Sequence, residues 1–69
     1  MRDRRRIALS PRQTEIARLL GDGLTQDEIG QRLGIATRTV EVHVGLIRAK
    51  TGRPSTLSAI VDLVRLGLV

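Results

Sequence analysis

Cysteine is absent from this 69-residue sequence, and histidine occurs only once. Disulfide frameworks, zinc fingers, iron–sulfur centres and thiol nucleophiles need cysteines, or clusters of cysteine and histidine, so none of them fits the chain. We therefore expect neither a cofactor nor a metal site. The lack of cysteine is also consistent with a reducing cytoplasmic compartment.

Phenylalanine, tyrosine and tryptophan are absent as well. Proteins that bind single-stranded nucleic acid commonly stack its bases on aromatic rings, so single-strand binders and aromatic RNA-recognition sheets are poor candidates. Any nucleic acid that this chain binds is expected to be a duplex.

The sequence has no long apolar run. The longest, over residues 59–69, is interrupted by Asp62 and Arg65 and is too short to span a bilayer, and residues 1–6 lead into no signal-type segment. We expect a soluble, cytoplasmic protein that does not bind membranes. A chain of this length has little room for a substrate pocket beside its core, and it lacks paired carboxylates or a nucleophile–base set, so an enzyme is not expected.

Basic residues outnumber acidic ones by twelve to seven, which gives a net charge of +5. This excess favours a polyanionic partner, although it also promotes solubility. Residues 1–6 are expected to form a flexible basic arm that either contacts phosphates or only solubilises the N-terminus. The arginines of this arm are Arg2, Arg4, Arg5 and Arg6.

Glycine and proline fall at intervals of about a dozen residues and divide the chain into four segments. The predicted fold class is all-α, with four helices. Ser10 with Gln13 and Thr25 with Glu28 form capping boxes at the starts of the first two helices, and Gly34 ends the second.

Only residues 34–36 separate the second helix from the third, which is predicted over about residues 37–51. Two helices joined by a short, glycine-containing turn form a helix-turn-helix. The spacing turns Val40, Val44 and Ile47 towards the core. The opposite face mixes an apolar residue and a glycine with charges, which favours close contact with another molecule over plain solvation. Its members are Arg38, Glu41, Val42, Gly45, Arg48 and Ala49.

The fourth helix, predicted over about residues 56–66, is apolar nearly all round. One stripe at helical spacing is assigned to the core and consists of Leu57, Ile60, Val61, Val64 and Leu68. The second stripe consists of Ala59, Leu63 and Leu66 and is predicted to form a dimer interface. The alternative is that these are scattered surface residues without a role.

Several short motifs accompany this pattern: Leu9-Ser10-Pro11-Arg12-Gln13, Gly23-Leu24-Thr25, Glu28-Ile29, Leu33-Gly34-Ile35, Thr39-Val40-Glu41-Val42-His43 and Arg65-Leu66-Gly67-Leu68. In their order and spacing, residues 7–69 resemble the DNA-binding domain of the LuxR-type (GerE-like) bacterial transcription regulators. The resemblance implies a four-helix domain that binds double-stranded DNA sequence-specifically, with the third helix in the major groove and the fourth used for homodimerisation. It also implies a nucleoid-associated regulator of transcription, with RNA polymerase as a further candidate partner.

Carried over by this resemblance, the base-facing positions of the family correspond to Glu41, Val42 and Gly45. Glu41 would accept from a cytosine amine, and Val42 would pack against a thymine methyl. Gly45 departs from the family, whose members often carry a side chain there that reaches a base, and this shifts readout to neighbouring residues or to DNA shape. Positions near the phosphates correspond to Thr39, Arg48 and Lys50, and Thr37 and Arg38 complete the predicted DNA-binding set.

Two further departures concern helix caps. Ala36 stands where a hydroxyl residue often precedes the third helix, so Thr37 is expected to cap it instead, and Ser58 stands where an acid often completes the capping box of the fourth. His43 lies at the edge of the core stripe, where packing with one ring nitrogen bonded to backbone or phosphate is favoured over a metal role that lacks a second ligand.

Two other functions stay open. One is a sigma-factor-like promoter-reading domain, against which residues 65–68 argue. The other is a helical protein-interaction module that dimerises with, or sequesters, another regulator through its fourth helix. The chain is either a free-standing regulator or the C-terminal part of a larger one.

Overall fold

Residues 7–69 contain four helices, at the positions that the sequence predicts. The structure, a computed structural model, describes residues 7–69, so the basic arm predicted over residues 1–6 lies outside the described residues. The helices are α1 (Pro11–Gly21), α2 (Gln26–Leu33), α3 (Thr37–Thr51) and α4 (Thr56–Arg65). No strand occurs among residues 7–69. The all-α prediction is confirmed.

Reciprocal capping bonds start three of the helices. Ser10 Oγ accepts from the Gln13 amide at 3.1 Å, and the Ser10 amide donates to Gln13 Oε1 at 2.9 Å. Thr25 and Glu28 make the same pair of bonds at the start of α2. At α4, Ser58 takes the place of the usual acid and completes the box with Ser55. Each box satisfies amides that the helix itself leaves without acceptors.

The start of α3 is the exception. Its N-cap is Ala36, which makes no side-chain capping bond. The prediction that Thr37 caps α3 is wrong, because the Thr37 hydroxyl donates instead to Asp27 Oδ1 at 2.8 Å and so ties the start of α3 to the first turn of α2. The amides of Thr37 and Arg38, in the first turn of α3, have no acceptor within residues 7–69.

The core is entirely aliphatic, and all four helices contribute to it. Predicted core residues Val40, Val44 and Ile47 of α3 are buried, which confirms the inward face of that helix. The other members of the buried cluster come from α1, α2 and α4: Ile16, Ala17, Ile29, Ala59, Ile60 and Leu63.

The assignment of the two stripes on α4 is partly wrong, although Ile60 is buried in the core as predicted. Ala59 and Leu63, predicted to form the dimer interface, are fully buried in the core, and Leu66 is half-buried at the C-cap. The residues that do face outward come from the stripe assigned to the core: Leu57, Val61 and Val64, with exposed fractions of 75%, 38% and 55%.

A buried ion pair accompanies the inward orientation of Ala59 and Leu63. A charged residue such as Asp62 is ordinarily found on the solvent side of a helix. It is instead buried beside Ala59 and Leu63, and its Oδ1 accepts from Arg53 Nη2 at 3.1 Å. A carboxylate paired with a guanidinium group can lie on the buried side of a helix. The position of Asp62 therefore does not identify the exposed face of α4.

Candidate nucleic-acid interface

The turn between α2 and α3 sets the orientation of α3 relative to α2. Gly34 ends α2 with a φ of 69°, in the left-handed region that glycine adopts without strain. The Ile35 amide then donates to the Gly30 carbonyl at 3.0 Å. A Cβ atom on Gly30 would lie 2.8 Å from the Ile35 carbonyl oxygen, so the turn packs directly against the backbone of α2.

All of the predicted DNA-binding residues lie on α3, and none of them is buried. They are Thr37, Arg38, Thr39, Glu41, Val42, Gly45, Arg48 and Lys50. The opposite side of the helix holds the core residues, so packing alone turns this face towards solvent. Contact of these residues with DNA stays a prediction.

The charged side chains of this face are available for contacts with another molecule. Within residues 7–69, no hydrogen bond or ion pair engages the side chains of Arg38, Glu41 or Arg48. Guanidinium groups bind phosphate oxygens through two parallel N–H donors, and a carboxylate accepts from a cytosine amine. The face therefore carries donors for a polyanion and one acceptor for a base edge.

The start of α3 adds two more donors. The amides of Thr37 and Arg38, which have no acceptor in the described part of the chain, stand at the positive end of the helix dipole. Backbone amides at a helix N-terminus are a common means of holding a phosphate group. Because Ala36 has no side-chain acceptor, the Arg38 amide in particular stays open for that use.

Lys50 is used inside the domain in a way that the sequence did not indicate. Its Nζ atom donates to the Ala8 carbonyl at 2.8 Å and to Gln13 Oε1 at 2.6 Å. The bonds hold the segment before α1 against the C-terminal end of α3. Both acceptors are neutral oxygens, so neither bond is an ion pair. Contact of Lys50 with phosphates stays a prediction.

Leu46 also lies on the outward face of α3, and it was not identified from the sequence. It lies four residues after Val42, and the two side chains are 45% and 53% exposed. Residues four apart lie side by side on a helix. The periodicity that placed Val42 outward would have placed Leu46 beside it.

His43 is half-buried beside this face, as its position at the edge of the core stripe predicts. Its Nδ1 atom is buried and has no hydrogen-bond partner among residues 7–69. The described residues also contain no group of three or more His, Asp or Glu side chains that could hold a metal ion. None of the described helices is long and apolar enough to cross a membrane.

Comparison with known proteins places this arrangement in a family. The family model for "Bacterial regulatory proteins, luxR family" (GerE) matches residues 7–63. The chain is 37% identical over 62 residues to the transcriptional activator protein SolR of Ralstonia nicotianae, covering 90% of this chain and 26% of the relative. It is 45% identical over 54 residues to the C4-dicarboxylate transport transcriptional regulatory protein DctR of Rhodobacter capsulatus, covering 78% and 25%.

A third relative, the transcriptional activator protein PhzR of Pseudomonas fluorescens, is 33% identical over 63 residues, covering 91% of this chain and 26% of its own. The chain spans between 7% and 26% of the length of the curated relatives it matches. The family is one of DNA-binding regulators and is not a class of enzymes. The match covers the helix-turn-helix and most of α4, and the chain belongs to the LuxR family of bacterial regulatory proteins.

Proposed function

We propose that this domain binds double-stranded DNA sequence-specifically, with α3 in the major groove, and regulates transcription by doing so. The observation that carries the proposal is the outward face of α3, where Arg38, Glu41 and Arg48 are unpaired within residues 7–69 beside two open amides. The regulators to which the chain is similar support it.

In this proposal the basic groups orient the helix and other side chains read the bases. Arg38, Arg48 and Lys50 contact phosphates, and the open amides at the start of α3 hold a further phosphate together with the hydroxyls of Thr37 and Thr39. Glu41 and Val42 contact base edges, and Gly45 lets the helix backbone approach the groove floor.

Selection of bound sequences from a random duplex library, followed by fluorescence anisotropy with the selected duplex, tests the proposal. We expect a selected operator and an affinity that falls with salt, with a log–log slope of about 0.9 per neutralised phosphate. Arg38→Ala and Arg48→Ala should each lower that slope by about 1. Arg18→Ala is the matched control, because Arg18 is exposed on α1 without a partner in the described chain. Absence of salt-dependent duplex binding would refute the function.

Dimerisation on DNA is the second part of the proposal. The exposed residues Leu57, Val61 and Val64 form an apolar face on α4 that continues onto Leu20 and Gly21 of α1. An apolar face on a small domain is typical of a subunit contact. A second copy is the proposed occupant, and two copies would read half-sites about one helical turn apart.

Light scattering with and without the selected duplex tests this contact. Val61→Glu with Val64→Glu should leave the fold intact and abolish two-to-one binding to a duplex with two half-sites. Two-to-one binding that survives both substitutions would rule out this face as the interface. Leu63→Glu is unsuitable because it places a charge in the core.

The same apolar face supports a second candidate function, a module that sequesters another regulator through α4. The library selection discriminates between the two, because a pure interaction module selects no duplex. The proposed function places the protein at the nucleoid in the cytoplasm, and contact with RNA polymerase stays a prediction.

A further inference from the structure

The outward face of α3 carries an apolar pair that the charged residues of the face do not explain. Val42 and Leu46 are 53% and 45% exposed, and they are one turn apart on the same side of the helix. Two branched aliphatic side chains at the centre of a charged face leave apolar surface in water, which a purely electrostatic contact would not require. This pair therefore indicates that the ligand presents apolar groups to α3.

Gly45 leaves the flank of this pair open. A Cβ atom at position 45 would meet nothing within 4 Å apart from its two chain neighbours and the backbone of its own helix, so no other part of the described chain fills that space. Without a side chain at this position, the helix can approach its ligand closely enough for Val42 and Leu46 to make van der Waals contact. A long side chain there would hold the helix away.

In the major groove, the apolar group on a base edge is the C5 methyl of a pyrimidine. Val42 and Leu46 are separated by about 6 Å along the helix axis. Two base-pair steps span about 7 Å, so the two side chains can reach methyl groups within two steps of each other.

We propose that Leu46 adds a second methyl contact beside the one expected of Val42, so that the two side chains read two C5-methylated pyrimidines in each half-site and Leu46 determines specificity. The inference rests on the proposed function, since it assumes that α3 occupies the major groove. The methyl groups come either from thymine or from 5-methylcytosine, and the same contact serves both.

The test replaces thymines of the selected duplex one at a time with deoxyuridine, which removes the methyl and keeps the base pair. Loss of one buried methyl contact should weaken binding about fourfold. We expect deoxyuridine to weaken binding at two thymine positions that lie within two base-pair steps of each other. Val42→Ala should remove the sensitivity at one position, and Leu46→Ala should remove it at the other.

A second arm distinguishes the sources of the methyl. At each sensitive position, the T·A pair is changed to C·G and then to 5-methylcytosine·G. Tighter binding to the methylated pair than to the unmethylated one shows that the methyl is recognised on either base. Equal binding to the two pairs overturns recognition of the shared group.

The outcomes separate this inference from the proposed function. If no duplex is selected, the function fails. If a duplex is selected and the wild-type protein binds its deoxyuridine forms unchanged, methyl readout is overturned while the function stands. If deoxyuridine weakens wild type and Leu46→Ala equally at every position, the role of Leu46 is overturned. The wild-type series needs no variant and stays informative if a substitution impairs folding.

Discussion

The ammonium of Lys50 donates to Oε1 of Gln13 at 2.6 Å, across 37 residues of sequence. The same Gln13 oxygen accepts from the Ser10 amide at the start of α1, and Gln13 is a buried residue. One glutamine side chain therefore both caps α1 and receives the end of α3. The capping box of Ser10 and Gln13, which the sequence predicts, therefore also takes part in a tertiary contact with Lys50.

Lys50→Ala should lower the free energy of unfolding by about 1–2 kcal/mol, because the Gln13 oxygen and the Ala8 carbonyl each lose a charged donor. Urea unfolding followed by circular dichroism measures the change. Lys50→Arg separates the two roles of this residue, since it keeps the charge for phosphates and alters the hydrogen-bond geometry. Unchanged stability in Lys50→Ala would show that these bonds contribute nothing.

Arg53→Ala should destabilise the domain by about 2–3 kcal/mol, because the buried carboxylate of Asp62 loses its guanidinium partner. Thermal unfolding of the variant and of the wild-type protein measures this difference in stability. Arg65→Ala is the control, since Arg65 is exposed on α4 and makes no ion pair within residues 7–69, and it should change stability by less than about 0.5 kcal/mol. Equal effects of the two substitutions would contradict a structural role for the pair.

Gly30→Val and Gly45→Val make the same chemical change inside two different helices. At Gly30 the first added carbon already lies 2.8 Å from a backbone oxygen, so a loss of about 2 kcal/mol or more is expected. At Gly45 the space is open, and valine should leave stability unchanged or raise it by a few tenths of a kcal/mol. Similar midpoints of urea unfolding for the two variants would show that the turn does not need the close approach at Gly30.

Stability should decline in acid partly through Glu28. Hydrogen bonds from the Thr25 backbone and side chain, with Arg32 nearby, lower the pKa of Glu28 from its ordinary value of 4.5. A carboxyl with a lowered pKa in the folded state stabilises it above the unfolded pKa, and this contribution is lost as pH falls through the folded pKa. Glu28→Gln should therefore show a smaller loss than wild type when thermal midpoints are compared from pH 6 to below pH 4. Parallel pH profiles would argue against this contribution.

The features that were predictable from sequence depend on residues close together in the chain. The bonds between Ser10 and Gln13 and between Thr25 and Glu28 span three residues, and Gly34 acts within its own turn. The core face of α3 followed from spacing alone. The sequence was therefore sufficient to predict the four helices, their approximate limits and the inward face of α3.

The features that were missed depend on packing. On α4 both stripes are apolar, so periodicity offered two orientations, and the burial of Asp62 with Arg53 was decided by tertiary structure. The Lys50 contact with Ala8 joins residues 42 positions apart, which no local pattern indicates. Leu46 is a different case. Its spacing of four residues from Val42 could be read from the sequence, but its exposure was not inferred from that spacing.

The aliphatic core has a practical consequence for the experiments above. Every buried core residue is an alanine, isoleucine, leucine or valine, and so carries a methyl group. The two residues proposed to read the major groove, Val42 and Leu46, carry methyl groups as well. In a methyl-labelled sample, a single NMR spectrum would therefore report on the integrity of the core and on occupancy of the α3 face. Since the chain has no tryptophan, one introduced on the surface would give a fluorescence signal without background.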